Sequence, residues 1–308
     1  MTAVPEPGRE RGRAPDADRR TVLITGCSSG VGRAVALAAV RRGFTTVATS
    51  RDVGAMRELA DAGCVVRRLD VTDATARREL VGELTDVYGA VDALVNNAGY
   101  GELGPCEEVP LERWAVQFAT NVFGPVGLIQ LVLPGMRARG RGRIVNVGSM
   151  AGELVLPVGA AYHGSKYALE GVSESLRLEV RRFGVRVSVV QPGAIDTRWG
   201  ENVPELKAYT NGPYGDTVAE MTRQMAERLP KGVPPGKVAA AVLRAVTARR
   251  PRARYRVGPD AHVLLALRRA LSANVWERCV HTKFPSLRRP AAPDGTAGGL
   301  PSVTDEQR

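Results

Sequence analysis

The stretch AAYHGSKYALEG, residues 160–171, holds two tyrosines, a histidine, a serine and a lysine within six consecutive positions. His163 titrates nearest neutral pH by residue type. On a helix, however, neighbours point about 100° apart while residues four apart share a face. Tyr162 and Lys166 can therefore face one cleft, and His163 falls off that face. A phenol beside an ammonium suits proton transfer to or from an oxygen. Tyrosine ionises near 10, so its pKa must come down towards the working pH, and a nearby cation favours the phenolate. Bringing it to about 7 corresponds to roughly 4 kcal/mol of differential stabilisation. His163 is expected to be a packed helix residue, as are His262 and His281, which stand outside every motif. Tyr167 should turn away towards packing.

Alternating elements must position this pair. TVLITG is a short buried strand, and SGVGRAVALAAVRRG repeats apolar residues at helical spacing until Gly43. The alternation continues with the strand TTVATS, a helix near 53–62, the strand CVVRRLDV and a helix over 74–88. After these come the strand VDALVNNAG, a long helix around 111–139, the strand RIVNVGS, a helix over 161–182 and the strand VRVSVVQPG. Such a pattern predicts βαβ units in one doubly wound, Rossmann-like α/β domain, with a parallel sheet of about seven strands and helices on both faces. Residues 20–289 form the catalytic domain in this reading. Residues 1–19 and 290–308 have the composition of disordered tails. After Gly193 the pattern loosens, and 198–236 reads as a lid.

The chain has 308 residues, 44% hydrophobic and 24% charged, with a net charge of +11. Almost all of the excess lies between Arg244 and Arg289, where 12 basic residues face two acids. No nucleic-acid reading module accompanies that patch, so it is expected to be a solvated or interface surface. Four cysteines stand far apart, without metal-ligand spacing, and read as free thiols of a reducing compartment. No metal is expected. With no signal-peptide pattern and no long apolar run, the expected location is the cytoplasm.

The first strand runs into TGCSSGVG, which sets Gly26, Gly30 and Gly32 where strand turns into helix. Glycines there let backbone amides approach a pyrophosphate, and the helix N-terminus attracts its charge. The GxxxGxG spacing resembles that of the short-chain dehydrogenase/reductase family. Further motifs follow in that family's order: Asp70-Val71, NNAG at 96–99, a YxxxK motif at Tyr162 and Lys166, and Pro192-Gly193. Its wording is most similar to the hydroxysteroid and retinol dehydrogenase branch.

The resemblance implies roles residue by residue. Gly26, Ser28, Ser29, Gly30, Val31 and Gly32 would cradle the cofactor phosphates, and Asp70 and Val71 would hold the adenine. The backbone of Asn97, Ala98 and Gly99 would line the groove, and Pro192, Gly193 and Thr197 would flank the nicotinamide. Asp70 could equally cap the next turn, and Pro192-Gly193 could simply end a strand. Ser149, 13 residues before Tyr162, would polarise the substrate carbonyl, and Asn121 would hold a relay water. Tyr162 would be the general acid and base, with Lys166 tuning it and binding the nicotinamide ribose. Where family members using NAD carry an acid, this chain has Ser50 followed by Arg51, which favours NADP(H); Asp52 could neutralise that arginine or take over ribose binding.

The implied activity is interconversion of a secondary alcohol and a ketone. The lid carries Trp199, Leu206, Tyr209, Tyr214, Met221 and Met225, which suits a bulky apolar substrate of steroid, retinoid or polyketide type. Two alternatives stand beside it: a 3-oxoacyl-carrier-protein reductase using the basic C-terminal region, and a cofactor-binding regulatory protein without turnover. A homodimer or homotetramer is expected, with Leu169, Val172, Leu176 and Val180 burying a partner helix slightly favoured over packing on the sheet. The segment PDAHVLLALRRALSANVWERCVHTKF could lie on an anionic bilayer, although packing on the domain is the commoner use of such a helix.

Overall fold

A computed structural model of the chain describes residues 20–196 and 206–288. The two expected tails, Thr197 and Trp199 lie outside the described residues.

Seven parallel strands form one sheet in the order β3-β2-β1-β4-β5-β6-β7. They are β1 (Thr21–Thr25), β2 (Thr45–Ser50), β3 (Val65–Arg68), β4 (Ala93–Asn96), β5 (Gly142–Val147), β6 (Val185–Pro192) and β7 (Arg254–Val257). The order reverses between β1 and β4. In doubly wound sheets, that switch point opens a crevice at the carboxyl ends of the strands.

Helices cover both faces: α1 (Gly30–Arg41), α2 (Arg57–Asp61), α3 (Ala74–Tyr88), α4 (Leu111–Phe118), α5 (Gly124–Ala138), α6 (Ala160–Val180), α7 (Gly215–Arg228), α8 (Pro235–Thr247), α9 (Pro259–Ala270) and α10 (Ala273–Lys283). The period-2 alternation of a strand divides β1 between two cores. Val22 and Ile24 pack with Val35 of α1 and Val242 of α8, whereas Leu23 packs with Leu84 of α3, Leu128 of α5 and Leu176 of α6. Each such fully buried aliphatic side chain contributes about 1.5–3 kcal/mol through its removal from water. Helix α3 starts where the sequence predicts. The Asp73 carboxylate accepts from Thr75 N at 2.8 Å and Ala76 N at 3.0 Å, capping its first turn.

Two features differ from the sequence reading. The seventh strand, RYRV, was not placed, because its arginines and half-buried pattern carry no apolar run. The long helix is interrupted: Ala119–Phe123 is a π-helical turn between α4 and α5. In the apolar stripe of α6, Leu169, Leu176 and Val180 are buried within the chain, the last two in the core beneath β5 and β6, and Val172 is half-buried. Tyr167 is 40% exposed within the chain. The stretch Leu111–Ala138 is long and apolar enough to cross a membrane by composition alone. Here Leu128, Ile129, Val132 and Met136 of α5 are buried in the sheet core.

Candidate active site

At the carboxyl end of β1 the chain turns through Gly26 (φ +72°) and Gly30 (φ +55°), a left-handed region that favours glycine. Gly32 is required for a different reason: a Cβ there would sit 2.2 Å from the Gly26 carbonyl oxygen. The Ser29 side chain does not cap α1. That helix pole therefore faces the crevice, as an anion site needs. Thr25 supports the turn from below. Its hydroxyl accepts from Asn97 N and Ala98 N, both at 3.0 Å, while Asn97 Nδ2 donates to Thr25 O at 2.9 Å and Gly26 O at 3.0 Å. The NNAG loop and the glycine turn are thus one unit, and these contacts span more than 70 residues of sequence.

One cavity of about 940 Å³ runs along the carboxyl edge of the sheet. Gly26, Ser28, Ser29, Gly30 and Val31 line it, as do Ser50, Arg51, Asp70, Val71, Asn97, Ala98, Gly99, Ser149, Tyr162, Lys166, Pro192 and Gly193. Of the remaining sequence-predicted residues, Gly32 supports the turn and Asn121 sits behind Gly99 and Tyr100. Asp70 caps the turn after β3 and lines the cavity. Burial would raise its pKa, but hydrogen bonds from Thr72 N (2.9 Å) and Thr72 Oγ1 (2.7 Å) outweigh this and hold the carboxyl low while it lines the cleft. Asp52 accepts from Ala55 N at 3.3 Å and so caps a local turn. The Pro192-Gly193 turn is held by a residue the sequence reading missed. Asp260, in the first turn of α9, accepts from Ala194 N at 2.7 Å, and a Cβ on Gly193 would fall 2.1 Å from its carboxylate.

Tyr162 and Lys166 share one face of α6 as predicted and both line the cleft, Lys166 buried and Tyr162 half-buried. Ser149 lies two residues after β5 and caps a short turn through Ala151 N at 3.1 Å. It also shares a hydrogen bond with Tyr162. Burial holds the Tyr162 phenol above its usual 10, with the Ser149 hydrogen bond opposing. The expected lowering by Lys166 is not present in the protein alone. Its Nζ donates to Val147 O at 3.0 Å and stands 5.9 Å from the Tyr162 ring centroid. Burial brings the Lys166 ammonium down to about 8, with the Glu170 carboxylate opposing.

His163 is a structural residue, as expected. Nδ1 lies 3.1 Å from Ala151 O, and Nε2 accepts from Leu156 N at 3.2 Å, so the neutral tautomer with hydrogen on Nδ1 satisfies both contacts. Burial pushes its pKa below the usual 6.5, against the hydrogen bonds to Ala151 and Leu154.

Asn121 lies in the π turn, a feature often found at functional sites. Its Nδ2 donates to Tyr100 O at 3.0 Å and Ser165 Oγ at 3.1 Å, and its Oδ1 accepts from Tyr100 N at 3.2 Å. The side-chain amide therefore fastens the loop after β4 to α6. A second link was also missed. Asn96 Nδ2 donates to Asn146 Oδ1 at 2.8 Å, and Asn146 Nδ2 donates to Ser173 Oγ at 2.8 Å, joining β4, β5 and α6 inside the core. The repeated small polar residues on α6 were its only trace in the sequence.

The lid residues divide. Met221 and Met225 line the cavity together with Leu103, Leu154 and Leu156. Leu206 and Tyr209 pack with Met221 in a satellite core, and Tyr214 is exposed.

A doubly wound sheet whose crevice joins a glycine turn to a Ser, Tyr and Lys cluster defines a nicotinamide-dependent dehydrogenase or reductase. Comparison with known proteins agrees: the short chain dehydrogenase family matches residues 20–207. The chain belongs to the short-chain dehydrogenase/reductase family and is an oxidoreductase. It is 36% identical over 251 residues to a 3-ketodihydrosphingosine reductase from Bacteroides thetaiotaomicron, covering 80% of this chain and 90% of that protein. It superposes on a short-chain dehydrogenase from Streptomyces avermitilis with a TM-score of 0.74 and 34% identity, over 88% of this chain and 98% of that one. A metagenomic short-chain oxidoreductase in complex with NADP matches at TM-score 0.62 and 28% identity, over 77% and 96% of the two chains. A Burkholderia phymatum enzyme in complex with NAD matches at TM-score 0.71 and 25% identity, over 92% and 99%.

Proposed function

We propose that this protein is an NADP(H)-dependent enzyme interconverting a secondary alcohol and a ketone on a bulky apolar substrate, with Tyr162 as general acid and base. One observation carries the reading: Ser149 and Tyr162, hydrogen-bonded to each other, lie in the same cavity as the glycine turn and the apolar side chains of α7. The residues fit a nicotinamide dinucleotide, because the cradle at Gly26 and Gly32 has no room for a side chain and the α1 pole faces it.

When bound, the cofactor gives or takes a hydride at the substrate carbon. Ser149 donates its hydroxyl to the substrate oxygen, which polarises the carbonyl. Tyr162 gives its proton to that oxygen during reduction and removes it during oxidation. Lys166, anchored on Val147 O, brings a positive charge to within 5.9 Å of the Tyr162 ring centroid, where it would hold the cofactor's ribose. The Asn121 side chain is engaged with Tyr100 and Ser165, so a relay water would be held by the main chain of the π turn.

Ser50 and Arg51 line the cleft beyond β2, and a hydroxyl and a guanidinium suit the extra phosphate of NADP. Asp52 also lines the cleft, with one carboxylate oxygen accepting from Ala55 N, and is the group that competes with this preference. Leu103, Val116, Leu154, Leu156, Met221 and Met225 suit a long-chain or polycyclic substrate. The relative named for a ketodihydrosphingosine is in keeping with a ketone on a long alkyl chain. A cytoplasmic homo-oligomer completes the reading, and Phe123 and Leu178, exposed at 62% and 71%, are candidates for coverage by a second copy.

The test is NADPH consumption over steroids, retinoids, long-chain keto lipids, polyketide ketones, sugars and acyl thioesters, with Tyr162→Phe as the blank. Bulky apolar ketones should be reduced, and the variant should be slower by about a hundredfold or more. Equal rates for variant and wild type would remove Tyr162 from the mechanism.

A further inference from the structure

The family match ends at residue 207, before the wall of the cavity made by α7. What positions that wall comes from the far end of the chain. None of the 11 residues of α10 is buried, yet the next residue, Phe284, is 1% exposed. Its ring sits in a core with Leu206, Tyr209, Val218 and Met221. Polar contacts tie the same segment to successive turns of α7. Thr217 Oγ1 donates to Ser286 Oγ at 3.1 Å, Ser286 Oγ donates to Glu220 Oε2 at 2.9 Å, and Gln224 Nε2 donates to Lys283 O at 2.7 Å. Residues 217, 220, 221 and 224 recur at helical spacing and form one face of α7. Met221 and Gln224 therefore do two things: they touch the C-terminal segment and they line the cavity.

We propose that Lys283–Ser286 is a latch for the substrate wall. Phe284 and Ser286 are positioning residues that set where α7 places Met221 and Gln224, and so determine how long an apolar chain the cavity accepts. The physical basis is close packing: removing a large buried ring leaves a cavity that neighbours fill only in part. Without the Phe284 ring, Met221 has space behind it and the wall loses its set position. The inference rests on the reading that α7 faces the substrate.

The test uses the full chain with NADPH and methyl ketones from butanone to dodecanone, together with hydrogen exchange of α7. Phe284→Ala should raise KM for dodecanone by about tenfold or more while KM for butanone and kcat move about twofold or less. Exchange across 215–228 should accelerate while the amides of α1 and the NADPH affinity hold steady. Phe284→Leu should restore most of the selectivity. If Phe284→Ala does not fold, Ser286→Ala should move the same readouts in the same direction by a few-fold. Equal KM changes for short and long ketones, or α7 exchange that does not move, would overturn the latch. If wild type reduces no ketone, the functional reading fails by itself and exchange in α7 still decides the latch.

Discussion

Replacing Lys166 by methionine should stabilise the fold near neutral pH while removing activity. The lysine is buried, and its ammonium is brought from 10.5 down to about 8 chiefly by loss of solvent, with Glu170 opposing. That difference corresponds to about 3 kcal/mol against the charged form. Folding therefore carries the full penalty below about pH 8. Between 8 and 10.5 the unfolded chain binds more protons than the folded one, so wild-type stability rises with pH through that window. Methionine has similar length and no charge. It leaves Val147 O without its donor, at a cost of about 1–2 kcal/mol, and the net gain near pH 7 is about 1–2 kcal/mol. Urea unfolding of both proteins at a series of pH values measures the difference directly. The advantage of the variant should be flat below about pH 8, shrink as pH rises, and reverse as the wild type regains about 3 kcal/mol towards pH 10.5. A difference that stays constant from pH 7 to 10.5 would refute the assignment of a desolvated, charged Lys166.

Arg51→Ala should lower the ratio of kcat/KM for NADPH over NADH by about tenfold to a hundredfold, the worth of one charged hydrogen bond. An unchanged ratio in steady-state kinetics would remove Arg51 from cofactor selection. His163 is held neutral with its pKa below 6.5, so its contribution is complete above 6.5 and is lost as pH falls further. Thermal melts of wild type and His163→Gln should therefore diverge less at pH 5 than at pH 7; identical pH slopes for the two would count against the neutral tautomer.

Much of the site follows from local pattern. Tyr162 and Lys166 share a face because they are four residues apart on a helix, and the glycine turn follows from a strand that ends where a helix begins. The start of α3 was legible to the residue, and in the fold Asp73 caps it. Other parts were hidden for physical reasons. The π turn at Asn121 leaves a single uninterrupted apolar period on either side, so it reads as one helix. β7 is charged and half-buried, and only its pairing with β6 makes it a strand. The α6 stripe fits a partner or the sheet by periodicity, and only packing places Leu176 and Val180 in the sheet core.

The sequence by itself determined the chemistry available: a phenol, an ammonium and a hydroxyl in order, behind a turn too tight for side chains. Tertiary structure decided what those groups do at rest. Lys166 donates to Val147 O while its ammonium stands 5.9 Å from the Tyr162 ring centroid, and Asn121 clamps a loop. Asp260 accepts from Ala194 N across 66 residues and closes the turn after Pro192-Gly193, and Phe284 joins the core with Val218 and Met221 of α7. Each of these depends on burial or on hydrogen bonds between distant segments. Their strength comes from exclusion of water, which no spacing along a chain specifies.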